Sequence, residues 1–317
     1  MRWGGLNMTL FQVDILIKQL RKNNNLSQEQ LCEGICTKDT LSRIERGLRR
    51  PDWYIFERLM QRLGEDPQKY FTDIATKKDK QILEVKDQLK YVLRSKNNDE
   101  AATLISELEN KEDFKEGLNL QFLLKAKSSL AFNKKDYRGM YDYAVDAIRI
   151  TKPYFNEEEI DSYILFYDEI IIINQIATAH SFISSLAKST DILLKLKVSM
   201  DNGYIDDDEK IKTYITILYN ITKNLGLLKR YDESLEICDI GINLCIKYQN
   251  SFLHPMILFN KAYCLLHLEK KEEGINILEK VYALFIGNDR LTELAEIKNY
   301  VEKEFGISNH NHNYSIT

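Results

Sequence analysis

The sequence predicts an all-α protein: a small helix-turn-helix domain at the front, then a right-handed superhelical stack of helical hairpins. Three observations carry this. Only 4 prolines and 13 glycines interrupt 317 residues rich in Leu, Ile, Lys and Glu, and few breakers among many helix formers favour helix. The stretch "LSQEQLCEGICTKDTLSRIERG" (26–47) strings helix-start signals between short apolar steps. Further along, the chain repeats itself every 40 residues.

The front elements follow in order. From Gln12 to Asn23, Val13, Leu16, Ile17 and Leu20 fall at helical spacing, and the run Asn23-Asn24-Asn25 stops the helix. Ser27 reads as an N-cap, with Gln30 completing a capping box and Leu31 facing inward; this second helix ends near Gly34. Thr37 caps a third helix from Lys38 to about Arg46, closed by Gly47. Pro51-Asp52 opens a fourth, "WYIFERLMQRLG", with an apolar stripe of Trp53, Phe56, Leu59, Met60 and Leu63. Pro67 begins a fifth short piece ending in Tyr70-Phe71. Short helices with a tight turn between the second and third make a helix-turn-helix domain over 1–74. The polar stretch "ATKKDKQ" (75–81) marks its boundary.

Residues 75–306 read as helical repeats. Shifted by 40, Ile217–Leu244 aligns with Ile257–Leu284, with identities at 217/257, 218/258, 220/260, 225/265, 228/268, 233/273, 237/277 and 244/284. Eight matches in 28 positions exceed the one or two chance would give, and most are apolar or turn sites. Weaker copies lie at 125–150 and 89–109, and a divergent pair at 162–200. A helix–turn–helix unit of this period means stacked hairpins. A last helix, about Asp289–Phe305, caps the array, and 307–317 reads as a loose tail.

The third helix presents a polar face fit for a DNA major groove, which admits one α-helix. Thr37, Lys38, Asp39, Thr40, Ser42 and Arg43 make that face, with Lys38, Asp39, Ser42 and Arg43 toward base edges, while Leu41 and Ile44 enter the core. Gln28 is placed for phosphate, and Arg46, Arg49 and Arg50 for flanking phosphates. Charge allows this: residues 1–74 hold 12 Lys and Arg against 10 Asp and Glu, whereas the whole chain is at −4.

In the repeats, Tyr219-Asn220 and Phe259-Asn260 occupy equivalent places, with Lys223 and Tyr263 one turn on. An aromatic beside an amide suits an extended peptide: the amide pairs with both N–H and C=O of a backbone. Asn174 in "IIIINQIATA" and His267 are further candidates for such a groove. The alternative is that these residues stack the helices, their amides bridging neighbours.

"LSQEQLCEGICTKDTLSRIERGLRRP" resembles the helix-turn-helix of phage-repressor-like regulators, L-S-Q-x-x-L, a turn, then S/T-x-x-x-I/L-S-x-I-E-x-G; Gln28 and Glu45 match its Gln and Glu. The resemblance implies that Glu45 braces the domain, pairing with a basic residue of helix one such as Arg21. The "EGIC" turn is one residue shorter than the commonest form. With "IFERLMQRLG" and the hairpin repeats behind it, the chain resembles the peptide-pheromone-sensing regulators of Gram-positive bacteria (Rgg, PlcR and PrgX type). That implies double-stranded DNA as one partner, read as an operator with inverted repeats, a short signalling peptide as another, and a homodimer held by the repeat domain.

No enzyme, metal site or cofactor is expected. Cys32 and Cys36, and Cys238 and Cys245, lack the partners zinc needs. With Cys264 these five read as reduced, buried thiols of a cytoplasmic protein. His310 and His312 read as tail residues, and Asp206-Asp207-Asp208-Glu209 as a helix start, where negative charge is favoured. The start of the sequence lacks the features of a secretory leader, and "EIIIINQIATA" is too short to span a bilayer. A protein-interaction scaffold tethered to DNA, with no peptide ligand, is the competing expectation.

Overall fold

A computed structural model describes residues 10–65, 67–70, 75–201 and 208–307, and every regular element among them is a helix. The chain divides into two compact units, Met1–Asp207 and Asp208–Thr317.

The first unit opens with α1 (Leu10–Asn23), α2 (Gln28–Cys32), α3 (Lys38–Glu45) and α4 (Trp53–Arg62), then a 3-10 turn at Pro67–Tyr70. Phe71 lies outside the described residues. Each cap has its donor. Ser27 Oγ accepts the Gln30 N–H at 3.1 Å while Gln30 Oε1 accepts the Ser27 N–H at 2.8 Å. Thr37 Oγ1 accepts the Thr40 N–H at 3.1 Å, and Asp52 Oδ1 the Ile55 N–H at 2.9 Å. Gly47 closes α3 at φ 68°, and the next N–H, Leu48's, returns to the Arg43 carbonyl at 2.8 Å. These caps aim Val13, Ile17, Leu31, Leu41, Ile44, Trp53, Phe56, Leu59 and Met60 into one buried cluster. Each large side chain sealed there contributes about 1.5–3 kcal/mol.

Three helical pairs complete this unit: α5 (Lys77–Arg94) with α6 (Asn98–Glu109), α7 (Gly117–Asn133) with α8 (Tyr137–Arg149), and α9 (Tyr167–Ile183) with α10 (Leu186–Asp201). The second unit holds α11 (Asp208–Leu227) with α12 (Tyr231–Lys247), α13 (His254–His267) with α14 (Lys271–Gly287), and α15 (Leu291–Phe305). Residues 308–317, with His310 and His312, and Asp206 and Asp207 lie outside the described residues. Among the described residues no helix is long and apolar enough to cross a membrane.

The hairpin turns explain how a chain with so few glycines folds back so often. Lys229 and Glu269, forty residues apart, sit at φ 60° and 61°; Gln249 and Asp289, again forty apart, sit at 51° and 54°. A left-handed residue costs a non-glycine about 1–2 kcal/mol. Each is offset by the bond it permits, the following N–H reaching back to a helical carbonyl: Arg230 to Leu225 at 2.9 Å, Lys270 to Leu265 at 3.0 Å. Lys96 and Lys135 repeat the device in the first unit. A second recurring clasp joins the two helices of a hairpin: Ser128 Oγ donates to the Met140 carbonyl, and Ser234 Oγ to the Thr222 carbonyl, both at 2.9 Å.

Candidate nucleic-acid interface

Helix α3 is held from behind by a buried carboxylate. Glu45, at the end of α3, is 5% exposed. It accepts Arg21 Nε at 2.6 Å and Nη2 at 2.8 Å, and Gln28 Nε2 at 2.8 Å. Burial alone pushes this carboxyl up, but the hydrogen bonds from Arg21 and Gln28 outweigh it and hold it below the usual range. One residue thus ties α3 to α1 and to the start of α2, the brace implied for Glu45 and Arg21. It also revises Gln28: one amide N–H, expected to face phosphate, is committed inside the protein.

The opposite face of α3 is open. Lys38, Asp39, Arg43, Arg46, Arg49 and Arg50 are exposed, and Thr40 and Ser42 half-buried. Two of these sites have internal roles as well. Thr37 is the helix cap, its hydroxyl also bonded to Thr40 Oγ1 at 3.0 Å, and Arg49 reaches Thr40 Oγ1 at 3.3 Å. Lys38 pairs with Glu29 of α2, both more than half exposed. That pair is solvated and weak, so Lys38 remains available to a polyanion.

Within the first unit the front helices rest on the repeats through α4 and the turn after α2. Arg58 pairs with Asp168 at the start of α9, and Lys125 of α7 pairs with the other oxygen of the same carboxylate. Arg62 lies 3.9 Å over the Phe166 ring. Its Nη1 donates to the carbonyls of Gln30, Leu31 and Glu33 at 2.9, 3.1 and 2.7 Å, which ends the five-residue α2. Gly34 stands at φ 67°, and a Cβ there would meet the Thr151 carbonyl oxygen at 2.7 Å. The short turn therefore needs glycine twice over, for its dihedral and for its contact. Lys152 completes the seam with Glu33 at 3.4 Å. None of Arg58, Arg62, Lys125 or Asp168 stood out in the sequence. The one available signal was the i, i+4 pair of arginines beside the apolar stripe of α4.

The repeat candidates separate into two kinds. Asn260 is buried, and its amide donates to Thr222 Oγ1 at 2.9 Å and to the Tyr219 carbonyl at 3.5 Å on α11. It is a stacking residue, bridging α13 to α11 in the way the alternative reading described. Phe259 and Tyr263 also pack sideways, 6.1 and 6.4 Å from Tyr300 of α15. His267 stacks on Tyr231 at 5.1 Å and meets Tyr263 and Phe305 edge-on at 4.4 and 4.9 Å. Burial lowers the His267 pKa despite Glu304 nearby. Lys223 is exposed, and Tyr219 and Asn220 are half-buried. Asn174, on α9 of the first unit, is half-buried too. All five cysteines are free thiols; four are buried and Cys36 is half-buried.

Residues 15–69 match the model of a helix-turn-helix domain. This chain carries a helix-turn-helix domain. Solved structures extend the likeness to the whole fold. PlcR of Bacillus thuringiensis, in complex with the peptide PapR7 and DNA, is 22% identical with a TM-score of 0.54, over 92% of this chain and 98% of that one. ComR of S. thermophilus, in complex with DNA and its signalling peptide ComS, is 18% identical at 0.52, over 93% and 100%. The SHP pheromone receptor Rgg2 of Streptococcus dysgalactiae is 14% identical at 0.52, over 92% and 99%. No curated protein sequence matches. The helix-turn-helix protein thus has the fold of pheromone-sensing regulators, in support of the resemblance read in its opening stretch.

Proposed function

We propose that this protein is a sequence-specific, DNA-binding transcription regulator of the cytoplasm, governed by a short peptide bound on its repeat helices and acting as a homodimer. The observation that carries the DNA reading is the exposed face of α3, Lys38 to Arg43 with Arg46, Arg49 and Arg50, mounted on a core braced by Glu45. A helix so presented fits a major groove, with arginines able to pair with guanine and phosphate. Two copies would set half-sites about 34–36 Å apart.

For the peptide, we propose the second unit as the receptor, with Tyr219, Asn220, Lys223, Phe259, Tyr263 and His267 supplying contacts. The fold shared with PlcR and ComR, each solved with a peptide and DNA, supports this. To act as a signal, the peptide must bind one arrangement of the protein more tightly than another. The test is a titration of duplexes from the gene's own upstream region, at low and moderate salt, with and without short peptides from neighbouring reading frames. Selective duplex binding that a peptide alters and its scrambled version does not is the expected result. Indifference to every such duplex overturns the proposal.

A further inference from the structure

The seam beneath the front helices holds a buried cation that has no ion-pair partner among the described residues. Lys86, on α5, is 6% exposed, with its ammonium 3.9 Å from the centre of the Tyr54 ring on α4 and 5.0 Å from that of Phe122 on α7. Among the described residues it has neither a hydrogen-bond acceptor nor a carboxylate at ion-pair distance. The charged groups around it are Glu57 and Arg58 on α4, Asp87 and Lys90 on its own helix, and Lys125 on α7. Arg58 and Lys125 already share Asp168. Beside Tyr54 runs a cleft of about 800 Å³ between the front helices and the start of α5 and α7.

We propose that this seam is a proton-sensitive joint: Lys86 loses its proton as the front helices close on the repeats and regains it as they part. Aromatic faces attract an ammonium, but by only about 2 kcal/mol when desolvated. That is little against the cost of taking an unpaired charge out of water beside two further cations. Burial accordingly pulls the Lys86 pKa from 10.5 down to about 7 in the closed form. The closed form binds fewer protons than the open one, so closure strengthens as pH rises from about 7 toward 10.5. Below about 7 the cost is carried in full and the seam is loosest. Acid therefore frees the front domain.

Two measurements on the full chain decide this. Lysine labelled with ¹³C at Cε is followed by NMR from pH 5.5 to 10, with the Lys86 signal assigned by its loss in Lys86→Met. Lys86 is expected to titrate two or more pH units below the exposed lysines. A midpoint among theirs overturns the proposal. In parallel, fluorophores are placed on cysteines introduced at Lys22 and Lys134, both exposed. The native Cys36, whose thiol burial pushes up to about 12, is replaced by Ser. The open-to-closed ratio is expected to fall by as much as about tenfold per pH unit above 7, and Lys86→Met to flatten the profile. Dyes that report no pH dependence, or the same dependence in Lys86→Met, overturn it too. Should that variant fail to fold, the titration and dye profile of the parent chain still decide.

Discussion

Arg58 and Asp168 lie 110 residues apart in sequence, yet the guanidinium on α4 and the carboxylate opening α9 form an ion pair. The carboxylate is shared with Lys125, so one anion serves two buried cations. Such a pair adds little net stability over apolar packing, but breaking it leaves charge stranded out of water. Asp168→Asn, which keeps the shape and removes the charge, is expected to cost about 3–5 kcal/mol in denaturant unfolding. Adding Arg58→Met and Lys125→Met to that variant is expected to recover most of the loss. A single variant as stable as the parent would show that Asp168 holds nothing.

Glu45 makes a second prediction, with pH as the variable. Its folded carboxyl sits below the usual range because Arg21 and Gln28 outweigh the effect of burial. A depressed pKa gives stability that is present above the unfolded value and disappears as pH falls through the folded one. Glu45→Gln is expected to lose about 1–3 kcal/mol at pH 7, the worth of a hydrogen-bonded buried charge. As pH falls through the lowered folded value the parent takes up this proton and the two proteins should converge. Melting curves across pH 3–7 read this directly; a constant gap between them would contradict the brace.

The two carboxylates differ in how visible they were beforehand. Glu45 was visible through a resemblance: its twenty-two-residue motif is similar to that of phage-repressor-like regulators, which implies a brace to a basic residue of helix one. Thr37 as a cap, Gly47 as a stop and the apolar stripe from Trp53 to Leu63 follow from local pattern, since capping and periodicity act within a turn or two. Asp168 could not be found this way, because nothing near position 168 records that Arg58 will arrive there. The hairpin turns were hidden for a different reason. Lys229 and Glu269 adopt a conformation usually marked by glycine, so the 40-residue repeat located them and residue type did not. Asn260 shows the limit of repetition as a signal: the match with Asn220 marked a recurring position, and a stacking amide recurs as faithfully as a binding one.

On the DNA side, Arg43 and Arg49 are expected to behave differently. Arg43 is exposed on α3, the helix proposed to enter the groove, whereas Arg49 follows the helix and touches Thr40. Arg43→Ala should cost about 1–3 kcal/mol on the preferred duplex and relax its sequence preference, while Arg49→Ala should weaken all duplexes alike and lower the salt slope by about one. Equal losses on specific and random duplexes for both variants would sink the assignment of α3 as the reading helix.

Glu29 offers a gain in affinity. Its carboxylate sits beside Lys38, and that contact draws the Glu29 pKa below its ordinary value. Any phosphate approaching Lys38 has to displace Glu29 and tolerate its charge. Glu29→Gln is therefore expected to tighten binding to specific and random duplexes by a similar factor, most at low salt, where unscreened charges act furthest. Filter-binding or anisotropy titrations at two salt concentrations would measure it. Unchanged affinity at low salt would place Lys38 away from the DNA.

The repeat unit supplies the sharpest contrast, because Asn260 and Lys223 are expected to fail in different ways. Asn260 donates to Thr222 and to the Tyr219 carbonyl, both on the neighbouring helix α11. Asn260→Ala removes the donor to the buried Thr222 hydroxyl, while the Tyr219 carbonyl keeps its bond from Thr222; the loss is expected to cost about 1–3 kcal/mol of stability. Any peptide affinity should survive, since the amide is engaged inside the protein. Lys223 is exposed and makes no ion pair or side-chain hydrogen bond among the described residues, so Lys223→Ala should leave the melting temperature unchanged and, on the proposed function, reduce affinity for a peptide bearing a carboxylate. The measurement is a paired one, unfolding and peptide titration on each variant. Were Asn260→Ala to abolish peptide binding at full stability, the stacking role drawn from its two hydrogen bonds would be wrong, and the amide would have to turn outward when a peptide is bound.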